Sequence, residues 1–275
     1  MRILPRCSAR AGAPFCGRQS ARGFTLIELL TVIAIIGILA AIVIPTVGTV
    51  REKAQRAVDG NSIREILKAA QIYAGENGDR LPDPQAITNQ MLAAPQPAWR
   101  WPGILAKNNI LTDPTFWFAK NDQAFNGVYP TFIIQPSAAR NSLHTSFTTQ
   151  RSPSWEFVGG VKMGDAATTP VVYTRGLQNS GLWSATSGVY KSTGGFIAFL
   201  GGNVAFYSSV QGTASPFYSN NPTSTSQTRP QNILQAIPFN ASAAAQSARA
   251  YGIPPPAGAG GMVGSAGGAL AQRGP

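Results

Sequence analysis

From Leu29 to Val50 the chain runs for 22 residues without a charge. At about 1.5 Å of rise per residue a helix of that length covers roughly 33 Å, enough to cross a hydrocarbon core of ~30 Å. The other home for such a segment is the buried helix of a soluble core. Its length and its apolar surface on every side argue for the membrane. The apolar run begins at Phe24, so 24–50 is the expected transmembrane stretch.

What precedes the run is basic. Arg2, Arg6, Arg10, Arg18 and Arg22 all lie before Gly23, and no acid does. Residues 1–23 contain no apolar stretch long enough for the centre of an ordinary secretory signal, so the membrane-crossing sequence is expected to remain in the product. Five arginines on the N-terminal side predict that this end stays in the cytoplasm and the remainder is exported. These same arginines account for much of the net charge of +11. Without them the count is 17 basic against 11 acidic residues, or +6, and the remaining charges are scattered. No basic run interleaves with aromatics, so a nucleic-acid partner is not expected. Cys7 and Cys16, the only cysteines, also fall in this segment. Its removal would leave a chain with neither disulfide nor thiolate.

Beyond Val50 the pattern stays helical but becomes two-faced. Ala54, Val58, Ile63, Ile66, Leu67, Ala70 and Tyr73 recur at three- and four-residue spacing, predicting one long helix over 24–75. Asp59-Gly60-Asn61 is a point where it could break, and Glu76-Asn77-Gly78-Asp79 reads as its end. Residues 76–211 are expected to form an exported α+β domain, with a small antiparallel sheet resting on the long helix. Strand-like runs are Val128–Gln135, Trp155–Val161, Thr169–Thr174, Gly188–Lys191, Phe196–Leu200 and Asn203–Ser208. The last two flank Gly201-Gly202, a pair suited to a hairpin turn with positive φ. Short helices and loops are expected over 85–125. Residues 212–275 turn Ser/Thr/Asn/Pro-rich and then Ala/Gly/Pro-rich, and read as a disordered, low-complexity tail that a cut after Gly212 would remove harmlessly.

The junction of the basic segment with the apolar run reads Gly23-Phe24-Thr25-Leu26-Ile27-Glu28. A glycine before the cut leaves the peptide open to a peptidase, and a lone carboxylate beside an apolar helix needs a reason to be there. This combination resembles the N-terminal signal of type IV pilins and type II secretion pseudopilins. The resemblance implies that a prepilin peptidase cleaves between Gly23 and Phe24 and N-methylates the new Phe24 amine. It implies that Glu28 acts in assembly, and that Gly37 and Pro45 loosen the helix. Pro45 lacks the N–H that would bond the carbonyl of Ala41, so a kink or melted turn is expected there, unless neighbours satisfy that carbonyl. Implied partners are the peptidase, other subunits of a filament, an inner-membrane assembly platform and membrane lipid. The implied location is the inner membrane, single-pass, with the C-terminal domain in the periplasm.

More distantly, Thr169–Gly176 and the 194–207 hairpin resemble segments of some pseudopilin-like proteins that often carry Asp-Gly-His at the hairpin turn. Here the turn is Gly201-Gly202-Asn203, without the carboxylate and imidazole. Related pseudopilins can also hold calcium, but Asp165 is the only carboxylate after Glu156, so no cluster of hard oxygen ligands is supplied there. No cofactor, metal site or catalytic motif is implied. His144, the only histidine, has no evident acid partner and reads as a loop residue. Asp79, Asp83, Asp113 and Asp122 read as turn-shaping acids. Trp99, Trp101, Phe116, Trp117 and Phe118 suit core packing better than a binding groove. The expected role is a structural subunit of a type II secretion pseudopilus. A type IV minor pilin that binds a surface, DNA or another protein is the first alternative. A membrane-anchored periplasmic enzyme is the second.

Overall fold

The structure, a computed structural model, describes residues 23–84, 97–137, 140–150, 152–178, 180–218, 229–230, 233–238 and 249–251. Expectations for residues 1–22 lie outside them. The chain divides into two compact units, Met1–Arg51 and Glu52–Pro275, and each is described by itself.

Helix α1 is Leu26–Glu76. In the first unit its large apolar side chains are exposed throughout, from Leu26 to Val50. It is the one described helix long and apolar enough to cross a membrane. The helix continues through Gly37 and Pro45 without interruption.

In the second unit the helix turns one face to a core. Ile63, Ile66, Leu67, Ala70, Tyr73 and Ala74 are buried, as the spacing predicts. Two expectations are corrected here. Ala54 and Val58 are exposed, so the buried apolar stripe starts at Ile63. Asp59-Gly60 is not a break: the helix passes through both residues and both are buried. Gly60 is there for space. A Cβ at that position would lie 3.1 Å from the ring of Phe196, so the missing side chain lets helix and sheet approach. The end falls where the turn residues put it. Gly78 takes φ +66°, and the Asp79 N–H donates to the Ala74 carbonyl at 2.9 Å, closing the last turn in a Schellman arrangement.

Helix α2 is Pro97–Lys107, and a short 3-10 turn follows over Pro114–Trp117. Single-turn helices α3 and α4 occupy Thr145–Thr148 and Ile233–Ala236. Five strands, β1 Trp155–Gly159, β2 Pro170–Thr174, β3 Gly195–Phe199, β4 Val204–Tyr207 and β5 Arg249–Tyr251, form one sheet of order β4-β3-β2-β1-β5. Every pairing is antiparallel. Sequence order is followed from β1 to β4, and β5 then closes the far edge beside β1. The β3–β4 turn uses Gly202 at φ +90°, while Gly201 packs against Ala167. The other two expected strands are absent. Val128–Gln135 contributes a single bridge, Ile134 to Leu143, and 188–191 enters a 3-10 turn over Lys191–Thr193. Both runs are apolar enough for strands, but each lacks a partner edge, and strand structure requires pairing.

The ladder register places Phe157, Val172, Ala198 and Val204 on one face of the sheet. On that face Trp101 of α2 stacks on Phe157 at 4.9 Å between ring centres, with Trp117 edge-on at 5.7 Å. Trp99, Trp101, Trp117 and Phe118 are all buried, so these aromatics are core. All five residues of β1, β2 and β3 are buried, so both faces of the sheet are covered. The core also extends past residue 212. Ser215, Phe217, Ile233, Ala236 and Ile237 are buried, and β5 pairs with β1. These parts of the expected tail therefore belong to the domain. Averaged composition hides them, because a few well-placed apolar side chains suffice to fill a core position.

Candidate cleavage and assembly site

Residues 23–25 lead into α1 without regular structure. Phe24 is 75% exposed, and an added Cβ at Gly23 would meet nothing within 4 Å. The chain's own fold therefore places no steric demand for glycine at 23.

The first turn of α1 is built around Thr25 and Glu28. The Thr25 N–H donates to Glu28 Oε2 at 2.9 Å, and its hydroxyl donates to the same oxygen at 2.7 Å. The Glu28 N–H donates back to Thr25 Oγ1 at 3.3 Å. With Leu26 as the first helical residue, this is a capping box: Thr25 is the N-cap and Glu28 stands three places on. The reciprocal bonds satisfy two of the donors that every helix start leaves free. Thr25 did not emerge from the sequence reading, although Thr-x-x-Glu ahead of an apolar run is the signature that would have found it. Farther along, the hydroxyls of Thr46 and Thr49 bond to the carbonyls of Val43 and Thr46 at 2.8 and 2.9 Å. These two threonines follow Pro45 and add hydrogen bonds to a stretch that the proline deprives of one.

In the second unit the polar residues serve the fold. Tyr190 donates its hydroxyl to Asp59 Oδ2 at 2.5 Å, and Gln55 donates to Oδ1 at 3.1 Å. Burial pushes the Asp59 carboxyl above its usual range, and the Tyr190 and Gln55 hydrogen bonds work against that rise. Burial and the neighbouring Asp59 push the Tyr190 phenol strongly upward. Arg56 lies over the rings of Phe206 and Tyr190, at 4.9 and 5.6 Å from their centres. A second buried knot joins Asp122 and Arg175. The Asp122 carboxylate pairs with the Arg175 guanidinium and accepts from Ser154 Oγ at 2.6 Å and from the Ala124 N–H at 2.9 Å. Arg175 also donates to the carbonyls of Pro153 and Ser187, both at 3.1 Å. Asp122 thus does more than shape a turn. Asp113 does cap a turn, accepting from the Thr115 N–H at 2.8 Å. Asp79 takes a turn conformation, with φ +58°. Asp83 is buried. His144 caps α3 and is half-buried against Phe132, 5.7 Å between rings. Among the described residues no three His, Cys, Asp or Glu side chains gather as metal ligands would.

The architecture is a bare apolar helix, long enough to cross a membrane and entered through a capped turn, followed by a domain with its own core. Residues 18–44 match the prokaryotic N-terminal methylation motif. The chain is 32% identical over 119 residues to the type IV wide pilus major component PilA4 of Thermus thermophilus, covering 41% of this chain and 89% of that protein. It is 36% identical over 95 residues to type II secretion system core protein G of Pseudomonas aeruginosa, covering 33% and 66% of the two chains. For the core protein G of Klebsiella michiganensis the figures are 42% over 60 residues, covering 22% and 42%. No solved structure matches. The chain belongs to the type IV pilin and type II secretion pseudopilin family.

Proposed function

We propose that this chain is a structural subunit of a type II secretion pseudopilus. The observation that carries this reading is the helix from Leu26 to Val50, exposed along its whole length and preceded by Gly23-Phe24 and the Thr25/Glu28 cap. Cleavage after Gly23 frees a cationic amine at Phe24, which the prepilin peptidase then methylates. The apolar helices of successive subunits pack against one another in the filament core. There Glu28 pairs with the amine of a neighbouring subunit. Water is scarce in such a bundle, so a misplaced subunit leaves a charge unpaired and is penalised. Gly37 and Pro45 give the helix the compliance to move from bilayer to filament.

The leader's arginines hold the N-terminus in the cytoplasm, and residues 76–275 lie in the periplasm. The role is mechanical and the chain catalyses nothing. The partners are the peptidase, further copies and related subunits, the inner-membrane assembly platform and lipid. A type IV pilus role is the second reading, favoured by the 89% coverage of the Thermus pilus component. Deleting the gene in its host separates the two. Loss of secreted enzymes with intact surface pili supports the pseudopilus, and loss of pili with normal secretion supports the pilus. Mass spectrometry of the membrane-extracted chain tests the processing. The expected N-terminus is methylated Phe24, and recovery of intact 1–23 in cells with a working peptidase overturns it.

A further inference from the structure

We propose that Arg56, with Lys53 one turn before it on α1, binds the phosphate of an anionic phospholipid headgroup. This rests on the reading of the preceding apolar run as a membrane span. Arg56 is half-buried, and its guanidinium lies over the rings of Phe206 and Tyr190, at 4.9 and 5.6 Å from their centres. The rings fix the plane of the group but leave the N–H donors at its edge unused. Arg56 makes no hydrogen bond or ion pair with any described residue. Other bases of the domain are used within the chain. Arg64 donates to Asn61 at 3.0 Å, Lys68 to Glu65 at 2.8 Å, and Arg175 pairs with Asp122. Even Asp59, three residues beyond Arg56, is taken by Tyr190 and Gln55. Arg56 is thus a planar fork held in place without an acceptor, the form that suits bidentate contact with a phosphate or carboxylate. Lys53 is exposed and has no partner among the described residues.

Position in the chain selects the ligand. Arg56 stands six residues after Val50, the last of the uncharged run. That is roughly 9 Å along a helix and no more than about 22 Å in any conformation of the chain. The headgroup layer adds about 5–8 Å on each side of the hydrocarbon core, so connectivity alone keeps this guanidinium near it. Over residues 51–56 the bases Arg51, Lys53 and Arg56 are opposed only by Glu52. Bases on the exported side work against the orientation that the leader's arginines set, so they need another reason to be there. Anionic headgroups supply one, because they attract bases that follow a span. A guanidinium already fixed by two rings loses little freedom when it binds. Such a contact ties the free subunit to the bilayer surface.

Native mass spectrometry of the membrane-extracted chain in detergent tests this. The chain is titrated in separate arms with phosphatidylglycerol, with phosphatidylcholine and with inorganic phosphate, and all variants are compared in the same processed form. Phosphatidylglycerol is expected to bind more tightly than phosphatidylcholine. Arg56→Met and Lys53→Gln should each weaken it about fivefold, the equivalent of about 1 kcal/mol per basic residue. Arg64→Gln should leave it unchanged. Arg56→Lys keeps the charge and loses the fork, so it should fall between the parent and Arg56→Met. Protease resistance of the domain shows that each variant is folded, and Lys53→Gln carries the test should Arg56→Met disturb the packing. Unchanged binding in both variants overturns the proposal, as does an equal loss from Arg64→Gln or equal binding of the two lipids. Displacement of the lipid by inorganic phosphate at the same concentration also overturns it, assigning the site to a free anion. So does loss of filaments from Arg56→Met with unchanged lipid binding, which assigns the guanidinium to a carboxylate of another subunit. Release of the parent chain from membranes by alkaline carbonate would instead mean that the span reading fails, a separate result.

Discussion

Thr25 and Glu28 hold each other at the head of α1, two Thr25 donors meeting one carboxylate oxygen at 2.9 and 2.7 Å. Glu28 therefore has a partner within its own chain before any neighbour arrives. A subunit amine that pairs with Glu28 in a filament has to share the carboxylate with Thr25 or displace it. The cap keeps the acid aimed at the helix end nearest Phe24.

The first prediction separates charge from capping. Glu28→Leu is expected to insert and be cleaved but to yield no filaments. Glu28→Gln keeps an acceptor for Thr25 and loses the charge, and it is expected to fail in assembly as well. Glu28→Asp is expected to assemble partially, its shorter arm reaching less far. Filament yield at equal expression is the measurement. Normal yield from Glu28→Gln would reduce the residue to a helix cap.

Gly23 is expected to matter for the peptidase alone. Nothing in the fold lies within 4 Å of where its side chain would be. Gly23→Leu should accumulate as full-length precursor in the membrane while its exported domain resists protease as before. Mass spectrometry and limited proteolysis read the two effects separately.

The Asp59–Tyr190 contact predicts a pH signature. Asp59 titrates above the usual aspartate value of 3.8 when folded, so folding favours its protonated form. The associated stability is complete below pH 3.8 and is lost as pH rises through the raised folded value. Tyr190→Phe removes a donor that favours the carboxylate and should cost about 1–3 kcal/mol once Asp59 is ionised, and less in acid. Asp59→Asn should flatten the dependence. Urea midpoints of the detergent-solubilised chain across pH 3 to 7 provide the check.

The Asp122–Arg175 pair predicts non-additivity. Arg175→Met alone strands a carboxylate that is fully buried, at a cost of about 3–5 kcal/mol. Asp122→Leu with Arg175→Met should cost clearly less than the two single changes added together. Equal sums in denaturant unfolding would mean that the two residues do not interact.

Truncation after Gly212 should destabilise the domain, contrary to what composition suggests. It removes Phe217, Ile233 and Ile237 from the core together with β5. Phe217→Ala alone is expected to cost about 3–5 kcal/mol. Retained protease resistance in the truncated chain would show that those side chains contribute little.

Much was legible in the sequence because it depends on local pattern. The uncharged run from Leu29, the helix end at Glu76–Asp79, and strands β1 to β4 each follow from periodicity, turn residues or length. The capped start of α1 depends on neighbours in the chain as well, Thr25 and Glu28 standing three residues apart. Tertiary structure decided what needed a distant partner. Asp59-Gly60 reads as a helix breaker until Phe196 occupies the space that glycine leaves and Tyr190 reaches the carboxylate. Val128–Gln135 reads as a strand but finds no edge, whereas Arg249–Tyr251, in a stretch poor in strand formers, finds the open side of β1. Asp122 reads as a turn acid until Arg175, 53 residues away, arrives beside it. Hydrophobic period and turn chemistry act over a few residues, and composition over a segment. Burial, pairing and charge compensation act across space, and they are resolved only when the chain has closed on itself.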